Sequence, residues 1–153
     1  MQSLSQPWRA AQAYRRPLLI LCVLSAFLGC ATHESIRPFT TDGCSAFPEG
    51  TAAHKTLWLE CCIAHDKAYW LGGTYTERQQ ADKNLQTCVA QVGEPKVAAL
   101  MRAGARVGGS PYWPTSFRWG YGWSWPRGYR TLSPEELAQE EQMLGAREAQ
   151  QGK

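Results

Sequence analysis

Cys61-Cys62-Ile63-Ala64-His65-Asp66-Lys67-Ala68-Tyr69 is the stretch on which the fold turns. Leu57, Trp58, Cys61, Cys62, Ala64, His65, Ala68 and Tyr69 recur at three- and four-residue steps. That period predicts a helix over 51–71, stopped by Gly72-Gly73. Neighbouring helical side chains diverge by about 100°. The adjacent cysteines therefore lead to two different partners. His65 and Asp66 likewise face different partners and do not serve each other.

Downstream, Thr76 is the expected cap of a second helix to about Val92, with Ala81, Leu85, Cys88, Val89 and Val92 on one face. Gly93 ends it, and Pro95 opens a third helix to about Arg106. Over 107–130, Pro111, Pro114 and Pro126 break regular structure among crowded aromatics: Tyr112, Trp113, Phe117, Trp119, Tyr121, Trp123, Trp125 and Tyr129. Ser133-Pro134-Glu135-Glu136 starts a last, polar helix to about Gln150. Toward the N-terminus, Thr41-Asp42-Gly43-Cys44 begins a loop rich in turn formers that runs to Gly50.

The chain starts with an arginine-bearing segment and the apolar stretch Leu18–Leu28, the pattern of an export signal. Phe27-Leu28-Gly29-Cys30 resembles the lipobox of bacterial lipoproteins, in which the cysteine carries lipid. Ala31, in place of Asp after that cysteine, implies the outer membrane. The plainer alternative is an ordinary signal peptide cut nearby, giving a soluble periplasmic or secreted protein. The expected organisation is a signal over 1–29, a tether over 30–40, a domain over 41–130 with its aromatic extension, and an acidic helix and tail over 131–153.

Composition narrows the classes. The chain is 44% hydrophobic and 19% charged, which excludes a disordered protein. The apolar run Pro17–Gly29 is too short for a polytopic membrane protein. Arg9, Arg15 and Arg16 lie in the export segment; without them 13 basic residues face 13 acidic ones. A neutral domain argues against nucleic-acid binding.

Export implies an oxidising compartment, where Cys44, Cys61, Cys62 and Cys88 can form two disulfides in three possible pairings. Zinc held by Cys61, Cys62, His65 and Asp66 is the competing use, but adjacent cysteines are not a usual zinc spacing. If Cys61 bridges to Cys88 across antiparallel helices, His65 lies roughly 6 Å beyond the bridge and Asp82 roughly 9 Å beyond it. The two are then within side-chain reach, and Tyr69, one turn on, also reaches Asp82. If Cys44 bridges to Cys62, Asp66 meets Asp42 and the loop at Gly43. Clustered carboxylate and carbonyl oxygens suit a hard cation such as Ca²⁺.

Cys-Cys-x-x-His-Asp-x-x-Tyr resembles the active-site helix of secreted phospholipases A2. Thr41-Asp42-Gly43-Cys44 resembles the short calcium loop of their prokaryotic and fungal relatives, and Asp82 with Cys88 matches the family's second long helix. The resemblance covers 41–92. It implies a mostly α fold with two long antiparallel disulfide-linked helices, here followed by the Trp/Gly/Pro-rich segment and a C-terminal helix. It implies His65 as general base, Asp82 and Tyr69 as its support, and Ca²⁺ on Asp66, Asp42 and the Gly43 carbonyl. It also implies cleavage of the sn-2 ester of a phosphoglyceride at a membrane surface. The expected pairing is Cys44–Cys62 and Cys61–Cys88. The other class in play is a non-enzymatic envelope lipoprotein that keeps the scaffold.

Plainer roles stand beside these. The aromatic cluster serves as core filling or as a lipid-facing surface. Arg102, Arg106, Arg118, Arg127 and Arg130 serve as solvated charge, as cation–π partners or as headgroup contacts. His33 and His54 have no companions, and His54 reads as a surface helix residue. The acidic terminal helix reads as a solvated appendage.

Overall fold

The computed structural model describes residues 34–151. Among these residues it is helical without strands: α1 is Leu59–Leu71, α2 Tyr75–Gln91, α3 Pro95–Gly108 and α4 Pro134–Gln151. Helix α2 packs against both α1 and α3. Two disulfides, Cys44–Cys62 and Cys61–Cys88, hold the loop to α1 and α1 to α2. With Cys61 beside Cys88, and Gly72-Gly73-Thr74 as the whole connection, α1 and α2 run antiparallel.

Several boundaries differ from the sequence expectation. Helix α1 begins at Leu59, because 49–58 folds back in turns. Trp58 N–H donates to Glu49 O at 3.0 Å and Thr51 N–H to His54 O at 2.9 Å. Gly50 permits the tight reversal, since a Cβ there would lie 2.0 Å from His54 O. His54 is exposed, but in a turn and not on a helix. Helix α2 is capped by Thr74, not Thr76: Thr74 and Glu77 form a reciprocal capping box.

Two apolar clusters form the core. One gathers Trp58, Cys61, Cys62, Leu85, Val89, Ala98 and Met101 around the disulfides. The other joins Tyr69, Trp70 and Ala81 to Ile36, Trp119, Tyr121 and Trp123. The aromatic segment thus divides. Trp119, Tyr121 and Trp123 are core, while Tyr112, Trp113, Phe117 and Trp125 are exposed.

The buried part caps α1. A helix leaves its last carbonyls without intrahelical partners. Gly120 N–H donates to Tyr69 O at 2.6 Å and Gly122 N–H to Trp70 O at 3.0 Å. The Trp123 indole donates to Leu71 O at 2.6 Å and that of Trp119 to Gly73 O at 2.9 Å. This approach requires glycine: Gly72 has φ +77°, and a Cβ on it would meet the Gly120 Cα at 2.7 Å. Gly72→Ala should therefore cost about 2 kcal/mol or more, read as a lower urea midpoint with unchanged slope.

Both ends of the described chain belong to this body. Of the expected tether, residues 34–40 are docked: Ile36 is buried, and the Trp70 indole donates to Arg37 O at 2.7 Å. Helix α4 is not an appendage. Glu136 is buried and accepts from Arg127 at 2.9 Å and from Arg130, while Ile36 N–H donates to Gln139 at 2.9 Å. Met143 and Leu144 pack on the aromatic cluster. The segment 1–29, Cys30 and His33 lie outside the described residues. No helix among the described residues is long and apolar enough to cross a membrane.

Candidate active site

Helix α1 presents His65 and Tyr69 to the flank of α2 that carries Asp82, the face the disulfide holds in register. His65 Nε2 lies 2.9 Å from Asp82 Oδ1, and the Tyr69 hydroxyl donates to the same oxygen at 2.7 Å. Asp82 is fully buried. Burial works to raise its carboxyl, but hydrogen bonds from His65, Arg106 and Tyr69 outweigh burial and hold it below the ordinary carboxylate range. An ionised carboxylate only accepts. His65 Nε2 must then carry hydrogen, and Nδ1 is the acceptor of the neutral ring.

Tyr69 is held on all sides. Its ring lies 4.2 Å from that of His65, tilted by 36°, and meets Trp119 edge-on at 5.1 Å. Gly109 makes room for it, because a Cβ there would lie 2.3 Å from the Tyr69 ring. Burial, then the Asp82 charge, raises the Tyr69 hydroxyl above its ordinary range, so it stays protonated and donates.

Two arginines extend the network in roles that helical spacing does not reveal. Arg78, buried one turn before Asp82, donates through Nε to the Tyr69 hydroxyl at 3.0 Å and through Nη2 to Ala105 O and Arg106 O at 2.9 Å each. Its signal was a cation on the apolar face that also carries Ala81, Leu85 and Val89. Arg106, on α3, pairs with Asp82 Oδ2 at 2.9 Å and stacks on Tyr75 at 5.2 Å. The other arginines named from sequence are engaged elsewhere. Arg102 bonds Gln86, and Arg127 lies 4.0 Å over Trp123 while pairing with Glu34 and Glu136.

Asp66, turned about 100° from His65 on the same helix, faces the loop stapled by Cys44–Cys62. The Thr41 hydroxyl donates to Asp66 Oδ2 at 2.6 Å, and Gly43 N–H to that hydroxyl at 3.1 Å. The chain turns there with Gly43 at φ +75° and Ser45 at φ +53°. Asp42 is exposed and accepts from the Ser45 hydroxyl at 3.0 Å. Burial first, with the Asp42 charge adding to it, pushes the Asp66 carboxyl up to about 6. Asp66 is thus a desolvated acid beside a second acid, held in place by a neutral hydroxyl. A cation there would relieve both penalties. The side chains and backbone at 41–43 and 66 offer oxygen ligands, the donor chemistry of Ca²⁺. Among the described residues no group of three or more His, Cys, Asp or Glu side chains converges, so such a site would rest on two carboxylates completed by neutral oxygens.

His65, Asp66 and Gly43 line one cavity of about 450 Å³. Its walls are mostly apolar: Phe47, Leu85, Leu100, Met101 and Phe117, with exposed Leu100 and Phe117 toward solvent. A polar group at the head of an apolar cleft of this size is the usual form of a small-molecule site. The arrangement can hold an elongated apolar ligand with its polar end near His65.

The fold and site define a small disulfide-stapled helical protein with a histidine–aspartate–tyrosine network at the head of an apolar cavity. Comparison of the chain with known protein families, curated proteins and solved structures finds no match.

The lowered Asp82 carboxyl sets an acid dependence. Its ion-paired contribution to stability is fully present above the unfolded value near 4 and is lost as pH falls through the lower folded value. Asp82→Asn should be less stable than wild type at pH 7, and thermal melts of the two should converge as pH falls below 4.

Proposed function

We propose that this protein is a calcium-dependent, phospholipase A2-like hydrolase of the sn-2 ester of phosphoglycerides, acting at the bacterial envelope. The observation that carries the reading is the shared acceptor. Buried Asp82 takes both His65 Nε2 and the Tyr69 hydroxyl on one oxygen, while His65 and Asp66 line the same apolar cavity.

Asp82 fixes the tautomer and orientation of His65, and its charge favours the imidazolium that forms. Nδ1 takes a proton from water as the water oxygen bonds to the ester carbonyl carbon. That proton then passes to the departing glyceryl oxygen, restoring neutral His65. Tyr69, fixed by Arg78, keeps Asp82 aligned throughout. The apolar cavity takes acyl chain and excludes bulk water. Asp66, Asp42 and the Gly43 backbone would hold Ca²⁺, which when bound polarises the ester carbonyl and stabilises the developing oxyanion.

The test is hydrolysis of phosphatidylglycerol and phosphatidylethanolamine vesicles in Ca²⁺ and in chelator, with products assigned to sn-1 or sn-2. Absence of calcium-dependent fatty-acid release on either lipid would remove the enzyme reading. The envelope location rests on the export segment and the lipobox-like Cys30. Mass spectrometry of the mature N-terminus should find a lipid-modified Cys30 as the first residue.

One observation favours the second reading, a non-enzymatic envelope lipoprotein retaining the scaffold. The Arg106 guanidinium occupies Asp82 Oδ2. This fixed positive charge takes part of the carboxylate's capacity to stabilise a charged His65. An inactive wild type that regained hydrolysis as Arg106→Gln would identify that contact as the cause.

A further inference from the structure

A second cavity, of about 430 Å³, is lined by Arg37, Thr115, Ser116, Arg118, Ser124 and Trp125. None of these belongs to the His65 network. The cavity is cationic and hydroxyl-bearing where the first is apolar.

Its two arginines differ from the others around them. Arg106, Arg127 and Arg130 each meet a carboxylate. Among the described residues, Arg37 and Arg118 meet none, and bond only to backbone carbonyls. Arg118 is buried to 3% exposure, and among the described residues only its Nη2 has a partner, Trp123 O at 2.6 Å. Arg37 donates to the carbonyls of Gly122 at 3.4 Å and Trp123 at 3.2 Å, and to that of Tyr121. Both guanidiniums are thus anchored on the 121–123 turn while retaining donors. Thr115 adds a buried hydroxyl with no hydrogen-bond partner.

A buried guanidinium without a counter-charge is costly, and so is an unpaired buried hydroxyl. Burial first, then the Arg37 charge, lowers the Arg118 guanidinium, while Glu34 offsets part of this. Glu34 is itself committed to Arg127 at 3.0 Å and to Ser124 N–H at 2.7 Å. One ligand class answers every group at once: a compact oxyanion accepts from two guanidinium forks and from hydroxyls.

We propose that this cavity is a binding site for a phosphate-type oxyanion, held by Arg37 and Arg118 with the hydroxyls of Thr115, Ser116 and Ser124. A lipid headgroup and free phosphate share that chemistry. Trp125, 52% exposed at the rim, is the kind of side chain that sits at headgroup level.

The full chain, in detergent and EDTA, is titrated with inorganic phosphate by calorimetry. Saturable one-to-one binding is expected. Arg37→Gln and Arg118→Lys should each weaken it by about tenfold or more, the scale of a lost charge-assisted hydrogen bond. His65→Gln should bind phosphate as wild type does, which separates this site from the proposed hydrolase. Circular dichroism checks each variant, and if Arg118→Lys is unfolded, the exposed Arg37 decides. Flotation of the Cys30→Ser chain, which carries no lipid at that position, with ether-linked phosphatidylglycerol vesicles distinguishes the source. Phosphate that displaces the chain from vesicles marks a headgroup site, and phosphate that binds without displacing it marks a free-oxyanion site. Absence of saturable phosphate binding by wild type overturns the proposal, as does wild-type affinity in every folded variant.

Discussion

Replacing His65 by Gln is expected to cut phospholipid hydrolysis by about 10²–10⁴-fold, the contribution of a positioned general base. The substitution suits the question because Gln is close in size and its amide can still donate to Asp82. The Asp82 contacts to Tyr69 and Arg106 do not depend on the imidazole. Both disulfides and the helical content should therefore persist, checked by non-reducing peptide mapping and far-ultraviolet circular dichroism. A folded His65→Gln protein with wild-type activity would place the chemistry elsewhere.

The second large effect concerns Asp66 and calcium. Calcium should raise the melting temperature of the wild type, because a ligand held by the folded state alone stabilises it by about 2.7 kcal/mol at one hundred times its dissociation constant. Asp66→Asn should abolish that increment along with calcium-dependent hydrolysis. Without calcium the order should reverse. The Asp66 carboxyl is pushed up to about 6, so its ionised form is disfavoured in the folded protein. The folded state then holds its proton more tightly than the unfolded state. Stability falls as pH rises from about 4 through about 6 and stays reduced above that. In chelator at pH 8, Asp66→Asn should melt above wild type, and its melting temperature should lack this slope. An Asp66→Asn variant no more stable than wild type in chelator, with an unchanged response to calcium, would remove Asp66 as a ligand. A variant that gains stability while losing function is the expected behaviour of a residue kept for a site and not for the fold.

The exposed rim of the aromatic segment borders both cavities. Phe117 opens the apolar cavity and Trp125 the cationic one, both from the same irregular segment whose buried members cap α1. Residues 107–130 thus close the core and shape both cavities.

Local spacing was enough to place α1, α2 and α3 in outline, to set His65 and Tyr69 on one face, and to bring Asp82 opposite them. Helical period and two cysteine positions are short-range properties, and a disulfide converts them into register. The expected pairing of Cys44 with Cys62 and Cys61 with Cys88 is present in the structure. Five things lay beyond reach of spacing. The start of α1 at Leu59 depends on a turn closed between Glu49 and Trp58, and the docking of α4 depends on Glu136 answering Arg127 and Arg130. The place of 119–123 depends on the unpaired carbonyls at the end of α1. The Arg106 contact to Asp82, and the pair Arg37 and Arg118 that meets no carboxylate among the described residues, depend on which charges meet once three separate segments have packed. Each of these depends on which polar groups meet once the segments have packed, a condition that helical period and cysteine spacing do not express.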